Sequence, residues 1–161
     1  MATLIRDVSA EDMPWLLAAS EAIGGPMMVS GGVLHDLADY PALVAEIDGT
    51  PRGFLSYRLG NVRAYGLAIL STEQGQGLGS DLLTAFENRA REAGKTQIRI
   101  STSNDNLPAL RFVQLRGYKL RQLIPGAHLE ANKLKGIAKG AAPPGIYGIE
   151  MRDEIILNKD L

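Results

Sequence analysis

The hydrophobic pattern divides the chain into short strands and helices that alternate over most of its length. Strands are predicted where apolar residues alternate with polar ones or form short unbroken runs, over residues 3–6, 43–47, 53–59, 62–70, 96–102, 118–124 and 149–157. Helices are predicted where apolar residues recur every three or four positions, over about 12–22, 81–93, 107–116 and 129–135. The pattern therefore predicts a mixed α/β fold.

Turn signals refine the arrangement of the first strands. Asp48-Gly49 and Gly60-Asn61 lie between consecutive predicted strands, and both pairs favour tight turns. Residues 43–70 are therefore expected to form an antiparallel meander. Residues 27–40 show no clear period and are predicted to form a loop with a short helix.

Cap signals mark several helix ends. Ser9 and Asp12 have the spacing of a capping box, with Asp in place of the usual Glu. Gly94 is placed to end the second long helix. Asn106 can cap the next helix, whose first turn contains Pro108.

The most informative segment is the glycine-rich stretch 74–80, Gln-Gly-Gln-Gly-Leu-Gly-Ser, between a predicted strand and a predicted helix. Such a loop lets the backbone approach a ligand closely, and the helix N-terminus that follows favours an anion such as phosphate. A Walker P-loop would need Gly-Lys-Ser/Thr, but Ser80 and Asp81 follow the last glycine. The spacing of the glycines also differs from Gly-x-Gly-x-x-Gly, the fingerprint of dinucleotide-binding loops. A plain tight turn is the remaining alternative.

The composition narrows the class of protein. The chain has 161 residues, of which 45% are hydrophobic and 22% are charged, and its formal net charge is −1. These values predict one globular domain with no bulk attraction to nucleic acid or to an anionic membrane. The sequence contains no cysteine, which excludes disulfides and thiolate chemistry, and we expect no metal. No secretory signal and no apolar run of about 20 residues is visible, so a cytoplasmic location is expected.

The order of the predicted strands and helices, together with two sequence motifs, resembles that of the GNAT superfamily of CoA-dependent N-acetyltransferases. The superfamily pattern Gln/Arg-x-x-Gly-x-Gly/Ala is matched at Gln74, Gly77 and Gly79. About 30 residues later, its pattern Asn-x-x-Ala-x-x-Phe is matched at Asn106, Ala109 and Phe112. The resemblance covers nearly the whole chain. It implies one GNAT domain over residues 1–161, with a mixed, mostly antiparallel central sheet and helices on both faces.

The resemblance also implies a site for acetyl-CoA as cosubstrate. The amides of the glycine loop would hold the pyrophosphate, a strand over residues 67–69 would pair with the pantetheine arm, and Asn106 would hydrogen-bond that arm. The backbone N–H of Ile69 would polarise the thioester carbonyl. A plain capping role for Asn106 is compatible with this one. The implied cosubstrate-binding residues are Leu67, Ala68, Ile69, Gln74, Gly75, Gln76, Gly77, Leu78, Gly79, Ser80 and Asn106.

The proton-transfer groups are not evident from the sequence. The superfamily often has a tyrosine acid after the Phe of the second motif and, in one branch, a glutamate base on the preceding strand. Here these positions are Val113 and Ser101. The replacement candidates are His35, Tyr65 and Glu46, and each of them has an alternative structural interpretation. Tyr57, Tyr118 and His128 are further candidates, and a structural role is favoured for each of them.

Residues 125–148 form an insertion between the last two predicted strands, rich in Gly, Ala, Pro and Lys. Long loops of this kind are often functional, and we hypothesise that it covers the acceptor cleft. Lys133, Lys135 and Lys139 could meet an anionic acceptor or could form an ordinary solvated charge cluster. Arg152, Asp153 and Glu154 are interpreted as ion pairing at the sheet.

The leading hypothesis is an N-acetyltransferase that acts on a small-molecule amine by direct attack in a ternary complex, with a protein N-terminus as a further acceptor class. Exposed sheet edges make a homodimer possible. The alternative is a CoA-binding sensor or interaction module without turnover, which the replacement of the usual Tyr and Glu by Val113 and Ser101 keeps open.

Overall fold

The computed structural model describes residues 2–137 and 144–161. They form two compact units. The first contains residues up to 28 together with 35–98 and 160–161, and the second contains residues 29–34 and 99–159. The prediction of a single domain over the whole chain stays a prediction.

The elements follow the order predicted from the sequence, with one addition near residue 30. The strands are β1 Thr3–Asp7, β2 Met27–Ser30, β3 Val33–Asp36, β4 Ala42–Ile47, β5 Thr50–Leu59, β6 Arg63–Ser71, β7 Gln97–Ser103, β8 Lys119–Ile124 and β9 Glu154–Asp160. The α-helices are α1 Met13–Ser20, α2 Leu78–Glu92, α3 Leu107–Gln114 and α4 Ala127–Leu134. The mixed α/β class with a mostly antiparallel sheet is confirmed.

In the first unit, β1, β4, β5 and β6 lie side by side in that order. All three pairings are antiparallel, and those of β4 with β5 and of β5 with β6 confirm the predicted meander. The turn between β4 and β5 is tight because Asp48 and Gly49 both adopt positive φ angles, of 49° and 78°. Since β4, β5 and β6 are joined by such short turns, local sequence signals are sufficient to specify the meander, whereas the pairing of β1 with β4 joins distant segments.

Helices cover both faces of this meander. Trp15 of α1 contacts Phe54 of β5 edge-on, with ring centroids 6.2 Å apart, in a cluster that also buries Leu16 and Leu67. Three residues further along β5, Tyr57 points to the opposite face. There its ring lies 5.3 Å from that of Phe86 in α2. The buried stripe of α2 is Leu82, Leu83, Phe86 and Ala90, as its helical spacing predicts.

An ionic network joins β1 to the start of the first helix. Arg6 donates two hydrogen bonds to Asp12, at 2.7 and 2.9 Å, and also pairs with Glu46 on β4 at 2.5 Å. The Asp12 carboxylate accepts the Ser9 backbone N–H at 2.7 Å, as the predicted capping box requires. Hydrogen bonds from Arg6 hold the pKa of Asp12 well below its usual range.

Asp12→Asn is expected to lower the free energy of unfolding by about 2 kcal/mol at neutral pH, because it removes the charge from a largely buried hydrogen-bonded pair. Since the folded pKa of Asp12 is depressed, the carboxylate stabilises the fold above its unfolded pKa of about 3.9, and this contribution is lost as the pH falls below that value. Urea unfolding of both proteins, at neutral pH and in steps down to about pH 2, measures the difference.

The control for this prediction is Glu92→Gln. Glu92 has a side chain 74% exposed and a weak contact with Arg89 at 3.8 Å. Its loss is expected to cost less than about 0.5 kcal/mol. The Arg6 network does not stabilise the fold if Asp12→Asn lowers the free energy of unfolding no more than Glu92→Gln does. The same conclusion follows if the loss of stability in Asp12→Asn is as large at acidic pH as at neutral pH.

Residues 27–40 correct the sequence-based prediction of a loop with a short helix. They form a two-stranded hairpin of β2 and β3, followed by a single 3-10 turn over Leu37–Asp39. Gly31 and Gly32 make the turn, with φ angles of 63° and 75°. A Gly-Gly pair between apolar residues is a known hairpin signal. The signal is weak here because each strand has only four residues, too few to show a clear alternation of apolar and polar positions.

In the second unit, β7, β9 and β8 lie side by side in that order, and β8 pairs with β9 antiparallel. The last strand begins at Glu154, so the prediction that it starts at residue 149 is wrong at that end. Residues 146–148 form a 3-10 turn instead. The insertion contains α4, close to the predicted helix, while Lys139 lies outside the described residues.

Within the described ranges, no helix is both long and apolar enough to cross a membrane. Over the same residues, no group of three or more His, Cys, Asp or Glu side chains is arranged to hold a metal ion.

Candidate functional site

The glycine loop connects the end of β6 to the start of α2. Residues 74–77 are exposed, whereas Leu78 is 1% exposed and anchors the first turn of the helix in the core. Gly75 and Gly77 both have a φ of 76°, a left-handed conformation that residues with a Cβ rarely adopt. The first hydrogen bond within α2 runs from the Asp81 N–H to the Gly77 carbonyl, at 3.0 Å. The amides of Leu78 and Gly79 precede this bond, and the first amides of a helix have no acceptor within it.

The base of this loop is attached to the start of β5. The Thr72 N–H and side-chain hydroxyl both donate to the Arg52 carbonyl, at 2.8 and 2.9 Å. Arg52 also forms an ion pair with Glu73 at 3.4 Å. Next to the loop is a surface depression lined by Ile47, Asp48, Thr50, Arg52, Glu73 and Gln76. These contacts hold the glycines at a fixed place beside the meander while leaving residues 74–77 open to solvent.

A β-bulge interrupts β6 just before the loop. Ser56 of β5 lies opposite Ala68, but the next residue, Tyr57, lies opposite Gly66, so Leu67 is an extra residue on β6. Gly66 and Leu67 are consequently both buried, which breaks the alternation of the strand. A bulge bends the strand and changes the direction of the backbone groups that follow it. Residues 67–69, predicted to bind pantetheine, lie at this bend.

Asn106 has the capping role that the sequence predicts. Its side-chain oxygen accepts the Ala109 N–H at 3.1 Å at the start of α3. In the same unit, Val113 is 5% exposed and Ser101 donates to the Val29 carbonyl at 3.2 Å. Neither side chain can supply the phenol or the carboxylate that the resemblance implies at these two positions.

The three candidates for proton transfer have different surroundings. His35 Nδ1 and the Tyr40 hydroxyl are hydrogen-bonded at 2.8 Å, and both side chains are half-buried. The guanidinium of Arg58 stacks over the Tyr65 ring at 3.9 Å. Oε1 of Glu46 accepts two charge-assisted hydrogen bonds from Arg6 in the ionic network, so this carboxylate has a structural partner. His35 and Tyr65 are therefore the better-placed candidates for proton transfer, and Glu46 stays a candidate that also has a structural partner.

Two further tyrosines lie in the cores of their units. Tyr57 is 3% exposed and its hydroxyl accepts a hydrogen bond from Arg89 at 3.3 Å. Hydrogen bonding to Asp7 raises the pKa of this arginine above its usual range. Tyr118 is 2% exposed. Their burial agrees with structural roles.

Sequence reasoning missed a group of buried polar side chains in the second unit. Asp105 is 2% exposed and Glu154 is 0% exposed. Burial lowers the pKa of His128, which interacts electrostatically with both carboxylates. Burial also lowers the pKa of Lys135, another neighbour of His128. The one local signal was Glu154 itself, an acidic residue at the head of the apolar run Ile155-Ile156-Leu157.

Comparison with known proteins identifies the family. The Acetyltransferase (GNAT) family matches residues 13–118. The uncharacterized protein YdhI of Bacillus subtilis strain 168 is 32% identical over 134 residues, which cover 83% of this chain and 81% of YdhI.

Solved structures agree in fold. An acetyltransferase of Bacillus cereus ATCC 14579, described as an IAA acetyltransferase, has a TM-score of 0.75 at 19% identity over 99% of this chain and 100% of its own. A GNAT family acetyltransferase of Elizabethkingia anophelis, with acetyl-CoA bound, also has a TM-score of 0.75, at 20% identity over 99% of this chain and 98% of its own. The chain belongs to the GNAT family of acetyltransferases.

Proposed function

We propose that the protein transfers the acetyl group of acetyl-CoA to a primary amine, by direct attack in a ternary complex. The observation that carries the proposal is the glycine loop, which follows a bulged strand and opens the 15-residue helix α2. Membership of the GNAT family supports acetyl transfer, and the similar Elizabethkingia protein holds acetyl-CoA. A small-molecule amine is the preferred acceptor class, with a protein N-terminus second.

In this proposal the amides of residues 75–80 bind the CoA pyrophosphate. The site joins backbone donors to the positive end of a helix, which is the combination that favours phosphate. Gln74 begins this loop, and Asn106 is proposed to hydrogen-bond the pantetheine arm through the part of its amide that does not cap α3.

Residues 67–69 of β6 are proposed to pair with pantetheine through their backbone. The Ile69 N–H would donate to the thioester oxygen as negative charge develops there, an interaction worth roughly 3 kcal/mol in comparable oxyanion sites. The amine nitrogen forms a bond to the carbonyl carbon, the carbon–sulfur bond breaks, and CoA leaves as a thiolate.

Proton removal from the attacking amine is proposed at His35, since its hydrogen bond with Tyr40 holds the imidazole in one orientation. Tyr65 is the second candidate.

The proposal also includes a cytoplasmic location and a possible homodimer.

A thiol-release assay with acetyl-CoA and a panel of primary amines tests the proposal, with mass spectrometry of the product as confirmation. We expect thiol release that depends on the amine and a product 42 Da heavier, the mass that one acetyl group adds. Calorimetry with CoA is run in parallel. Tight CoA binding without turnover on any amine would contradict the enzyme and support a CoA-binding sensor or interaction module.

A further inference from the structure

The turn over residues 145–149 has a tyrosine at a position where the backbone favours glycine. Tyr147 has a φ of 58° and a ψ of 23°, a left-handed conformation that a residue with a Cβ adopts only at a cost in free energy. Within residues 2–137 and 144–161, Asp48 is the only other non-glycine residue with a positive φ, and aspartate tolerates it far better than a bulky side chain does. A tyrosine at this position therefore needs a physical reason.

Packing inside the fold does not supply that reason. Tyr147 is 72% exposed, and its neighbours Ile146 and Ile149 are 41% and 36% exposed. Contacts within the chain therefore compensate for little of the backbone strain. Strained residues are concentrated at active sites and at positions that clamp a ligand. The turn thus presents a phenol and two isoleucines to a molecule outside the fold.

The turn is held in one conformation. The Ile149 N–H donates to the Ile146 carbonyl at 3.1 Å and closes the turn. The Ile146 N–H donates to Oδ2 of the buried Asp105 at 2.9 Å. Gly145 lies so close to the Ile149 carbonyl that a Cβ on it would overlap this oxygen. Tyr147 is therefore preorganised, and the backbone that carries it has little freedom to lose when a ligand binds.

Further hydrogen bonds attach this segment to the chain that leads into Asn106. The side-chain oxygen of Asn104 accepts the N–H groups of Arg152 and Asp153, both at 3.0 Å. The Asn104 NH₂ group donates to the Glu150 carbonyl at 2.9 Å. All of these residues belong to the second unit. The turn is thus anchored on the two residues that directly precede Asn106, which is proposed to bind the pantetheine arm of CoA.

Pantetheine has the chemistry that this turn complements. It is an uncharged chain with two amide groups, several methylene groups and a carbon that carries two methyl groups. Isoleucine side chains can pack against the methyl and methylene groups, and a phenol can donate a hydrogen bond to an amide carbonyl. Residues 144–149 contain no charged side chain, so the turn suits the neutral arm better than it suits the phosphates of CoA.

We propose that Tyr147 binds the pantetheine arm of CoA, with Ile146 and Ile149 packed alongside, and that Asn104 and Asp105 are positioning residues that hold the turn there. The inference rests on the proposed function for the identity of the cosubstrate, but it does not depend on turnover. It assigns part of the insertion between the last two strands to the cosubstrate.

Calorimetry with the full-length protein tests this by comparing CoA with 3′-phospho-ADP, the nucleotide half of CoA without the pantetheine arm. Tyr147→Asn introduces a residue that tolerates positive φ. It should weaken CoA binding about 10-fold or more and leave 3′-phospho-ADP binding within about twofold, because only CoA has the amides and methylenes that Tyr147 would contact. Tyr147→Phe keeps the ring and loses one hydrogen bond, so it should weaken CoA binding about threefold.

Leu134→Asn is the matched control, because Leu134 is 71% exposed and belongs to the same unit. It should bind CoA within about twofold of the unchanged protein. Thermal melts give a readout that a structural role would move. Since asparagine relieves the strain at residue 147, Tyr147→Asn should melt no lower than the unchanged protein, whereas loss of a residue needed for the fold would lower the melting temperature.

The outcomes separate this inference from the proposed function. Unchanged CoA binding in Tyr147→Asn, an equal loss for both ligands, or a rise in the acceptor KM alone would overturn the inference and leave the acetyltransferase intact. CoA binding that Tyr147→Asn weakens, without turnover on any amine, would overturn the acetyltransferase and leave the pantetheine contact. Absence of CoA binding in the unchanged protein would overturn both.

Discussion

Gly77→Glu is expected to weaken acetyl-CoA binding by at least about 100-fold. Gly77 is the N-cap of α2, and a Cβ built on it meets no described atom within 4 Å, so a new side chain there has room at the mouth of the loop. A carboxylate at this point would occupy the proposed pyrophosphate position. At about 4 Å from a phosphate it would add roughly 4 kcal/mol of repulsion at an effective dielectric constant of 20, more than a 100-fold loss of affinity requires.

Gly94→Glu is the matched control for this prediction. Gly94 lies at the opposite end of the same helix, has a φ of 73°, and its Cβ would likewise meet no described atom within 4 Å. The backbone strain of the substitution is therefore shared by both variants, about 1 kcal/mol in each. Only the position relative to the proposed site differs.

Isothermal titration with acetyl-CoA measures the effect, and unfolding curves show that both variants are folded. We expect Gly94→Glu to bind within twofold of the unchanged protein. Gly77→Asn, which introduces a neutral residue tolerant of positive φ, should lose less affinity than Gly77→Glu. Retained binding in Gly77→Glu would place the pyrophosphate elsewhere.

The glycine loop was predictable because each of its determinants is local in sequence. Gly75 and Gly77 signal left-handed backbone, and the apolar stripe from Leu82 to Ala90 shows that a helix follows. A strand, a turn and a helix N-terminus can be recognised from some 25 residues without knowledge of the remaining chain. The meander was predictable for the same reason.

The bulge in β6 was not predictable, because it depends on how two strands pair. Leu67 becomes the extra residue only relative to the positions of Ser56 and Tyr57 on β5. The apolar run from Tyr65 to Leu70 looks the same with or without the extra residue. Register is a property of the pair of strands and not of either one.

The roles of the charged candidates also depended on distant residues. Glu46 looked like a possible base on an alternating strand, yet its partner Arg6 lies 40 residues earlier. Glu154 looked like one member of a charged triplet, yet it binds amides more than 120 residues earlier in the chain. Contacts of this kind follow from the fold and leave no pattern in the local sequence.

Glu154→Gln is expected to lower the free energy of unfolding by about 3 kcal/mol, which corresponds to roughly 9 °C in the melting temperature of a chain of this size. The carboxylate is fully buried and accepts two N–H groups, one on each oxygen. A glutamine side chain has one oxygen and one NH₂ group. The NH₂ group would face either the Gly31 or the Gly32 N–H, so that one acceptor is lost and two donors oppose each other.

Thermal and urea unfolding measure the loss, with the exposed Glu150→Gln as control, for which the change should stay within about 0.5 kcal/mol. Hydrogen exchange gives the local readout, because the Gly31 and Gly32 amides are protected only while Glu154 accepts them. Their exchange should speed up in Glu154→Gln more than that of amides in the meander of the first unit. The hairpin tip that these two glycines form belongs to the second unit. If amide exchange speeds up equally in both units, Glu154 contributes only to global stability. If exchange at Gly31 and Gly32 is unchanged, their hydrogen bonds to Glu154 do not form in solution.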